Sequence, residues 1–516
     1  MNFSFKTLQR VCAKTACSLA LALFSVLFLS SLSVTAHLCK QSWAHETIVF
    51  SHDSVAVNLL LTLLMFCAII LIYKRLKHFS SIKLSVSMLI VWGLGTLVLV
   101  VGANIVQLYD FAYVQEAAEL FARGNYKPLT IDYFNVYSYQ LGICLPMEFI
   151  KRLISKINLS LFMQVINVFL SAGIAGILTF LSCILFSNRE AKATLIMCVF
   201  FLPLMMQCIF VYGTLPMLFF VSAAILFLTL YLKKRKLHFG FLFSLCISVA
   251  YMLKPNAAIP LMALVICALL DMLTSRDLKL LSCVILSIPL ALAMQKLSIL
   301  QYELRAGVTL SENVSMLARL VMGLQRGNIS AGWFNGYTEQ FFPFTVTAEQ
   351  EYAIASADLA ARLAEMKADP AMTLAFFKDK LLSQWLEPSY GAMWYGDLCE
   401  HTGPLQTATK AFFADGGRIR IVLERFMGAY QKGLYLLMTV GLVHMIREKM
   451  PNLSALTLPV CAIGGCLYHM IFEAKAQYMY PYVLLMMPIA AHGLCTLYES
   501  LACSKRITLS RKYLCK

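Results

Sequence analysis

The chain has 516 residues, 60% of them hydrophobic and only 14% charged, with a formal net charge of +16 and a mean hydropathy of +0.73. Soluble domains carry about a quarter charged residues, so a purely soluble enzyme and a disordered chain are both excluded. An integral membrane protein built of helices remains, because in lipid each helix satisfies its own backbone.

The positive charge does not signal nucleic acid, because it gathers in short loops between apolar runs. These hold Lys74, Arg75, Lys77 and Lys83, then Lys233, Lys234, Arg235 and Lys236, then Arg447 and Lys449, and finally Lys505, Arg506, Arg511, Lys512 and Lys516. That is the positive-inside pattern of cytoplasmic loops.

In chain order, Lys6, Arg10 and Lys14 precede an apolar run from Ala16 to Val34, and Ser-Val-Thr-Ala then ends at Ala36. The segment reads equally as a cleaved signal sequence and as a retained anchor. Apolar runs fall at 17–35, 54–73, 84–107, 160–186, 194–212, 215–232, 238–253, 257–272, 279–297, 432–446, 454–471 and 477–497, which predicts twelve spans. The loop charges place both termini in the cytoplasm and the end of the third span, at Asp110, on the outer face. Most acidic residues fall on that outer side. The expected divisions are 1–108, the anchor and first spans; 109–159, a first outer loop; 160–297, the transmembrane core; 298–431, an outer domain; and 432–516, the last spans and a basic tail.

Two segments are not spans. After Asp110, Phe111, Val114, Ala118 and Phe121 oppose Gln115, Glu116, Glu119 and Arg123, a helical amphipathic pattern ended by Gly124. Its apolar face suits the membrane interface, and Leu141–Ile154 forms a second short apolar stretch. The segment 298–431 is too long for a connector. It predicts helices over 347–367 and 370–386, the second opened by Asp369 as N-cap with Pro370 following. The fold class is therefore an all-α polytopic membrane protein with amphipathic helices and a small helical outer domain.

Most of the seventeen cysteines lie inside apolar runs, where Cys is a small hydrophobe. Cys39 and Cys399 are the clearest exceptions and are free to pair. No Cys/His spacing suggests zinc.

Asp110 reads two ways: as the N-cap of the helix that follows, or as a reactive carboxylate. The run Asp110, Val114, Ala118, Phe121, Gly124, Tyr126, Tyr133, Phe134, Tyr137, Gln140, Gly142 resembles the first outer loop of the GT-C glycosyltransferases, particularly bacterial membrane proteins distantly related to the protein O-mannosyltransferases (glycosyltransferase family 39-like). "YMLKPNAAIP" (251–260), "MGLQRGNISAGWFNGY" (322–337), "KDKLLSQWLEPSYGAMW" (378–394) and "FEAKAQYMYPYVLLMMPIAAHGL" (472–494) resemble further landmarks of that family, in order along the chain. The resemblance implies a GT-C-like fold in a bacterial plasma membrane. It implies a donor sugar linked to polyprenyl phosphate, a glycan, lipid or protein acceptor, and Asp110 as the catalytic or metal-associated carboxylate, with or without a divalent cation. The chain departs from the family at Tyr137-Ser138, where Tyr-Pro is frequent, and at Gln477-Tyr478, where Arg precedes Tyr. "VYGTLP" (211–216) lacks the second acid of many members, and Glu473 is a candidate to substitute for it.

Chemistry supports the same set. A hydroxyl acceptor needs a base and a phosphate leaving group needs a cation. Lys254, at an outer span end, is that cation or a snorkelling lysine. Glu473 is a site acid or a solvated loop acid. Tyr133, Phe134, Tyr137 and Tyr139 stack on sugar or form an interfacial belt. Gln140, Gln477 and Tyr478 complete the expected substrate contacts. Trp385, Glu387 and Tyr390 are expected nearest the acceptor, although Trp385 and Trp394 also suit packing of the outer domain. The rival class is a transporter or lipid flippase without catalysis. It needs ionisable residues and broken helices at the bilayer midplane, whereas the charges here gather at the outer surface.

Overall fold

The computed structural model describes residues 5–41, 44–130, 132–310, 314–342, 346–448 and 452–514. Helix α1 (Phe5–Ser31) leads into a hairpin of β1 (Val34–Gln41) and β2 (Ala44–His52). Then come α2 (Val55–Leu76), α3 (Ser81–Ala103), α4 (Tyr109–Ala122), α5 (Asp132–Val136), α6 (Leu141–Leu153), α7 (Leu159–Leu185), α8 (Asn188–Phe200) and α9 (Leu202–Met206). Next are α10 (Thr214–Lys234), α11 (Leu237–Leu253), α12 (Ala258–Ser275), α13 (Leu278–Ala306), α14 (Met316–Leu324), α15 (Ala348–Ala368) and α16 (Pro370–Trp385). The last are α17 (Ala392–Leu398), α18 (Gln406–Phe413), α19 (Arg418–Arg447), α20 (Leu453–Ile471), α21 (Ala476–Leu485) and α22 (Met487–Leu514).

Each of the twelve expected spans falls on a helix. Among the described residues, eight helices are long and apolar enough to cross a bilayer, or up to ten spans if two bent pairs each count as one. The other two positions hold α11, apolar but only 17 residues long, and α19, whose first turns carry Arg418, Arg420, Glu424 and Arg425. The chain is a multi-pass membrane protein. Its span helices expose side chains such as Leu63, Leu64, Val91 and Leu292, as a lipid-facing surface requires.

Helix α1 belongs to the core. Its stripe Ala13, Cys17, Ala20, Phe24, Leu27 is buried where the helix packs on α12, α19 and α20, and Phe24 meets Trp385 edge-on at 6.2 Å. Cleavage at Ala36 would cut strand β1.

The antiparallel hairpin is the one sheet among the described residues. It begins where the first apolar run was expected to continue, because Thr35, His37 and Cys39 interleave with Ala36 and Leu38, a period of two rather than 3.6. Its edge is tied to the helical segment: Ala36 N–H donates to Leu386 O at 3.1 Å and Ile48 N–H to Ile329 O at 3.2 Å.

The two bent pairs have local causes. Phe201 leaves helical backbone between α8 and α9 (ψ 85°), just before Pro203, and the axis turns by 60°. Between α21 and α22 it turns by 53° at Met486, two residues before Pro488, which has no N–H for Leu484 O.

The expected helices of 298–431 appear as α15 and α16, with the Asp369 side chain accepting from Met372 N–H. Helix α19 begins at Arg418 rather than 432, so the last part of that segment already belongs to this helix.

Close helix crossings rest on glycine. A Cβ on Gly493 would lie 2.1 Å from Leu437 O, and one on Gly441 2.3 Å from Ile489 O, where α22 crosses α19. Gly93 in α3 has nothing within 4 Å. Gly493→Leu is expected to destabilise by at least about 2 kcal/mol through overpacking, whereas Gly93→Ala is neutral or stabilising by about 0.5–1 kcal/mol. Thermal unfolding of detergent-solubilised protein checks both.

Candidate active site

The loop leaving α3 pairs with the chain at 400–403, Val106 N–H donating to Glu400 O at 3.0 Å, and beyond it the side-chain amide of Gln107 takes over. Gln107 Nε2 donates to Ile209 O at 3.0 Å, and its Oε1 accepts from Val211 N–H at 3.0 Å and from the Tyr395 hydroxyl at 3.2 Å. The Tyr395 oxygen in turn accepts from Leu108 N–H at 3.0 Å. Tyr109 takes the left-handed conformation (φ 53°), uncommon for a bulky residue. Phe111 is then wedged among Phe210, Tyr212 and Tyr395, with ring centroids at 5.3, 4.9 and 4.8 Å. This fixes both sides of Asp110.

Asp110 is not the helix cap. The N-cap position is Leu108, and no side chain caps the helix. The Asp110 carboxylate makes no hydrogen bond among the described residues and lines a cavity of about 360 Å³ with Glu46, Tyr137, Tyr139, Gln140, Tyr212, Arg319, Phe334, Tyr390, Trp394, Glu473, Lys475, Gln477 and Tyr478. It is open to the cavity yet enclosed by protein, and that enclosure raises its pKa, against the pull of Lys475 and Lys254 and with help from Glu46.

The wall behind Asp110 alternates in charge. Lys475 Nζ stands 3.6 Å from Glu46 Oε1. Burial works to lower the Lys475 pKa, but Glu46, Glu473 and Asp110 together hold it above its ordinary value. Burial raises Glu473, which Lys475 opposes and Asp110 reinforces; its Oε1 accepts from the Tyr478 hydroxyl at 3.3 Å. Arg319 lies over the Tyr137 ring, 5.6 Å from its centroid, and donates to Val136 O at 3.2 Å. Gln140 Nε2 donates to the Tyr212 hydroxyl. Gln477 Nε2 is buried without a hydrogen-bond partner among the described residues.

Of the residues singled out in the sequence, Asp110, Tyr137, Gln140, Tyr390, Glu473, Gln477 and Tyr478 come together on this cavity, from four separate stretches of chain. Tyr133 stands one ring back, stacked on Tyr113 at 5.0 Å and tilted against Tyr137 at 5.2 Å. Lys254 stands behind the wall. Its Nζ donates to Thr214 Oγ1 at 2.7 Å and lies 4.6 Å from the Tyr212 ring centroid and 5.7 Å from that of Tyr478.

Two expectations are corrected. Trp385 is not at the opening: it is fully buried against α1, with its carbonyl accepting from the Tyr435 hydroxyl at 2.5 Å. Glu387 is buried too. It accepts from Ser389 N–H at 3.1 Å, from Ser389 Oγ at 2.7 Å and from Gly391 N–H. It shapes the turn that puts Tyr390 (φ 52°) and Gly391 (φ 80°) on the cavity wall. Cys39 and Cys399 are both free thiols.

Sequence reasoning missed Arg319, Lys475, Glu46 and Tyr212. Lys475 lies inside the quoted 472–494 stretch, two residues before Gln477, and supplies the cation that the departure there had removed. Glu46 had no signal, because the hairpin had none. The carboxylates of Asp110, Glu46 and Glu473 do not gather as a three-ligand metal set among the described residues, and Lys475, which is drawn to all three, already supplies positive charge there.

Residues 12–315 match the family described as conserved hypothetical integral membrane protein. The chain belongs to that family. No curated protein matches it. Among solved structures it is similar to the archaeal oligosaccharyltransferase AglB from Archaeoglobus fulgidus, in complex with an inhibitory peptide and a dolichol-phosphate. That similarity has 11% identity and a TM-score of 0.42, covering 83% of this chain and 52% of that one. The chain spans about half the length of that protein.

Burial lowers Lys254 from 10.5 to about 7, Lys475 adding to the effect and Asp110 and Glu473 opposing it. Between those values the unfolded chain binds the extra proton, so this group's contribution to stability rises with pH. Below pH 7 the charged, buried lysine costs the fold most. The melting-temperature difference between Lys254→Met and the parent protein is therefore expected to move in the parent's favour from pH 6 to pH 9. A difference independent of pH would contradict this reading of Lys254.

Proposed function

We propose that the protein is a GT-C-like membrane glycosyltransferase, of the family 39-like kind, that moves a sugar from a polyprenyl-phosphate donor to a glycan, lipid or protein acceptor on the outer face of a bacterial plasma membrane. The observation that carries this reading is the unpaired Asp110 carboxylate in a closed-in cavity walled by aromatic rings and by two cations, Arg319 and Lys475. A group with a raised pKa, no internal partner and a ligand-sized space in front of it has the properties of a general base, and the cavity volume suits a small ligand.

In the proposed reaction the donor phosphate lies against Lys475 and Arg319, whose charge-assisted hydrogen bonds stabilise it as it leaves. Asp110 accepts the proton of the acceptor hydroxyl as that oxygen bonds to the sugar C1 and the C1–O(phosphate) bond breaks. The electron pair goes to the phosphate, and the products are the glycosylated acceptor and polyprenyl phosphate. Tyr137, Tyr139, Tyr212 and Trp394 offer ring faces to the sugar, and the Gln477 amide is a free donor for a sugar hydroxyl. Lys254 acts through Tyr212 and Tyr478, packing against both rings from behind the wall. Phe334, Tyr390 and Trp394 bring the segment 298–431 to the cavity and are the proposed acceptor contacts. The outward orientation rests on the basic loops, such as that at the end of α10, lying at the far end from Thr214 and the cavity.

Asp110→Asn keeps the size of the side chain and removes its basicity. Transfer from a radiolabelled polyprenyl-phosphate sugar by purified protein is expected to fall by roughly 10²-fold or more with the melting temperature unchanged. Lys475→Ala is expected to raise KM for the donor. Unchanged transfer in Asp110→Asn would overturn the base assignment.

A further inference from the structure

At the end of the bundle opposite the cavity, the C-terminal end of α19, the second turn of α22 and the first turn of α8 bring four polar side chains together. His492 Nε2 lies 2.9 Å from His444 Nδ1. Glu448, four residues beyond His444, has its Oε1 3.8 Å from His444 Nδ1. One ligand atom from each of His444, Glu448 and His492 falls within 4.8 Å of the others, a combination not repeated elsewhere among the described residues. On its other side, His492 Nδ1 faces Glu190 Oε1 at 3.5 Å, and Glu190 accepts from the Ser187 hydroxyl. The His492 ring is buried and stacks on Phe186, with centroids 4.4 Å apart and planes 9° apart.

We propose that His444, Glu448 and His492 bind one zinc-class divalent cation. The chemistry of the donors carries the assignment: two imidazoles and a carboxylate, with a fourth position left to water, form an established zinc set. The second observation is Glu190. Glu190 lies 3.5 Å from His492 Nδ1 without forming an aligned hydrogen bond, and its negative charge favours the proton on Nδ1, so that Nε2 presents its lone pair to His444 and Glu448. Ligating histidines characteristically have such a partner. Phe186 prevents the ring from turning away. The electrostatics fit, because Glu448 and Glu190 supply two negative charges to balance the ion. Arg189, the adjacent cation, is engaged at 2.5 Å by Glu499.

Two nitrogens at about 2.0–2.1 Å from a tetrahedral zinc stand about 3.3 Å apart, so the rings need to part by only a few tenths of an ångström from 2.9 Å. The ion would fasten α19 to α22 and, through Glu190, to α8. His444 and Glu448 are neighbours on one helix, but His492 lies 44 residues beyond Glu448, and no His/Cys spacing reveals the set.

The test uses tag-free, full-length protein in nanodiscs, stripped with chelator and titrated with Co²⁺. One equivalent is expected to give the visible absorption of low-coordinate Co²⁺, displaced by Zn²⁺, and Zn²⁺ is expected to raise the melting temperature. Glu448→Gln, at the exposed edge of the cluster, and His492→Ala are expected to weaken binding by at least 100-fold. Glu190→Gln should weaken it about 10–100-fold, as loss of an outer-shell partner does. If His492→Ala does not fold, Glu448→Gln carries the test. Absence of stoichiometric Co²⁺ binding, or binding that survives Glu448→Gln unchanged, would overturn the proposal and leave a hydrogen-bonded histidine pair.

Discussion

The cavity depends on the side chain of Gln107. This buried amide satisfies Ile209 O and Val211 N–H on one strand of chain and the Tyr395 hydroxyl on another, and Tyr395 holds Leu108 N–H. Three segments distant in sequence are thereby fixed where the membrane-spanning run of α3 gives way to α4. Buried polar groups of this kind are costly unless every one is paired, so the clamp is specific: a shifted register would leave two backbone groups and a hydroxyl without partners. It also makes the left-handed Tyr109 tolerable and aims Asp110 into open space.

The second constraint is that irregular backbone within a helical membrane protein survives only where protein or a water-filled space receives it. Both bent helix pairs obey it. The chain beyond α9 supplies Phe210 and Tyr212 to the cavity wall, and the N-terminal turn of α21 supplies Gln477 and Tyr478. Proline sets the bends, and the bends set the wall. The charges placed there are nearly balanced, with Asp110, Glu46 and Glu473 set against Lys475, Arg319 and the recessed Lys254. In the proposed reaction such a site offers its cations to the phosphate of the donor.

The spans were legible because hydrophobic length is a strong signal and each helix is specified locally. The caps were legible for the same reason: Asp369 accepts from Met372 N–H as its position before Pro370 implied, and Gly124 takes the positive φ expected where α4 ends. The hairpin was not legible, because its eight or nine residues merge with the apolar run before them. The site was legible where its residues share a stretch, as in 107–142 and 472–494. It was hidden where pairing is tertiary: Glu46 reaches Lys475 across more than four hundred residues, and Arg319 is a lone basic residue on a short amphipathic helix. Trp385 and Glu387 were misplaced for a physical reason. Aromatic and acidic residues beyond a helix end suit a binding face, but here they fill the seam between α16, α1 and α19 and close a turn. What they position, Tyr390, is the residue that reaches the cavity.

The central claim is that Asp110 faces a sugar whose phosphate is held by Lys475 and Arg319. An experimental structure of the protein in nanodiscs with a non-transferable polyprenyl-phosphate sugar tests it most directly. The account predicts phosphate density within hydrogen-bonding distance of Lys475 and Arg319, and the sugar between Tyr137 and Trp394 with C1 turned toward Asp110. A ligand bound elsewhere on the protein, with this cavity empty, would contradict it.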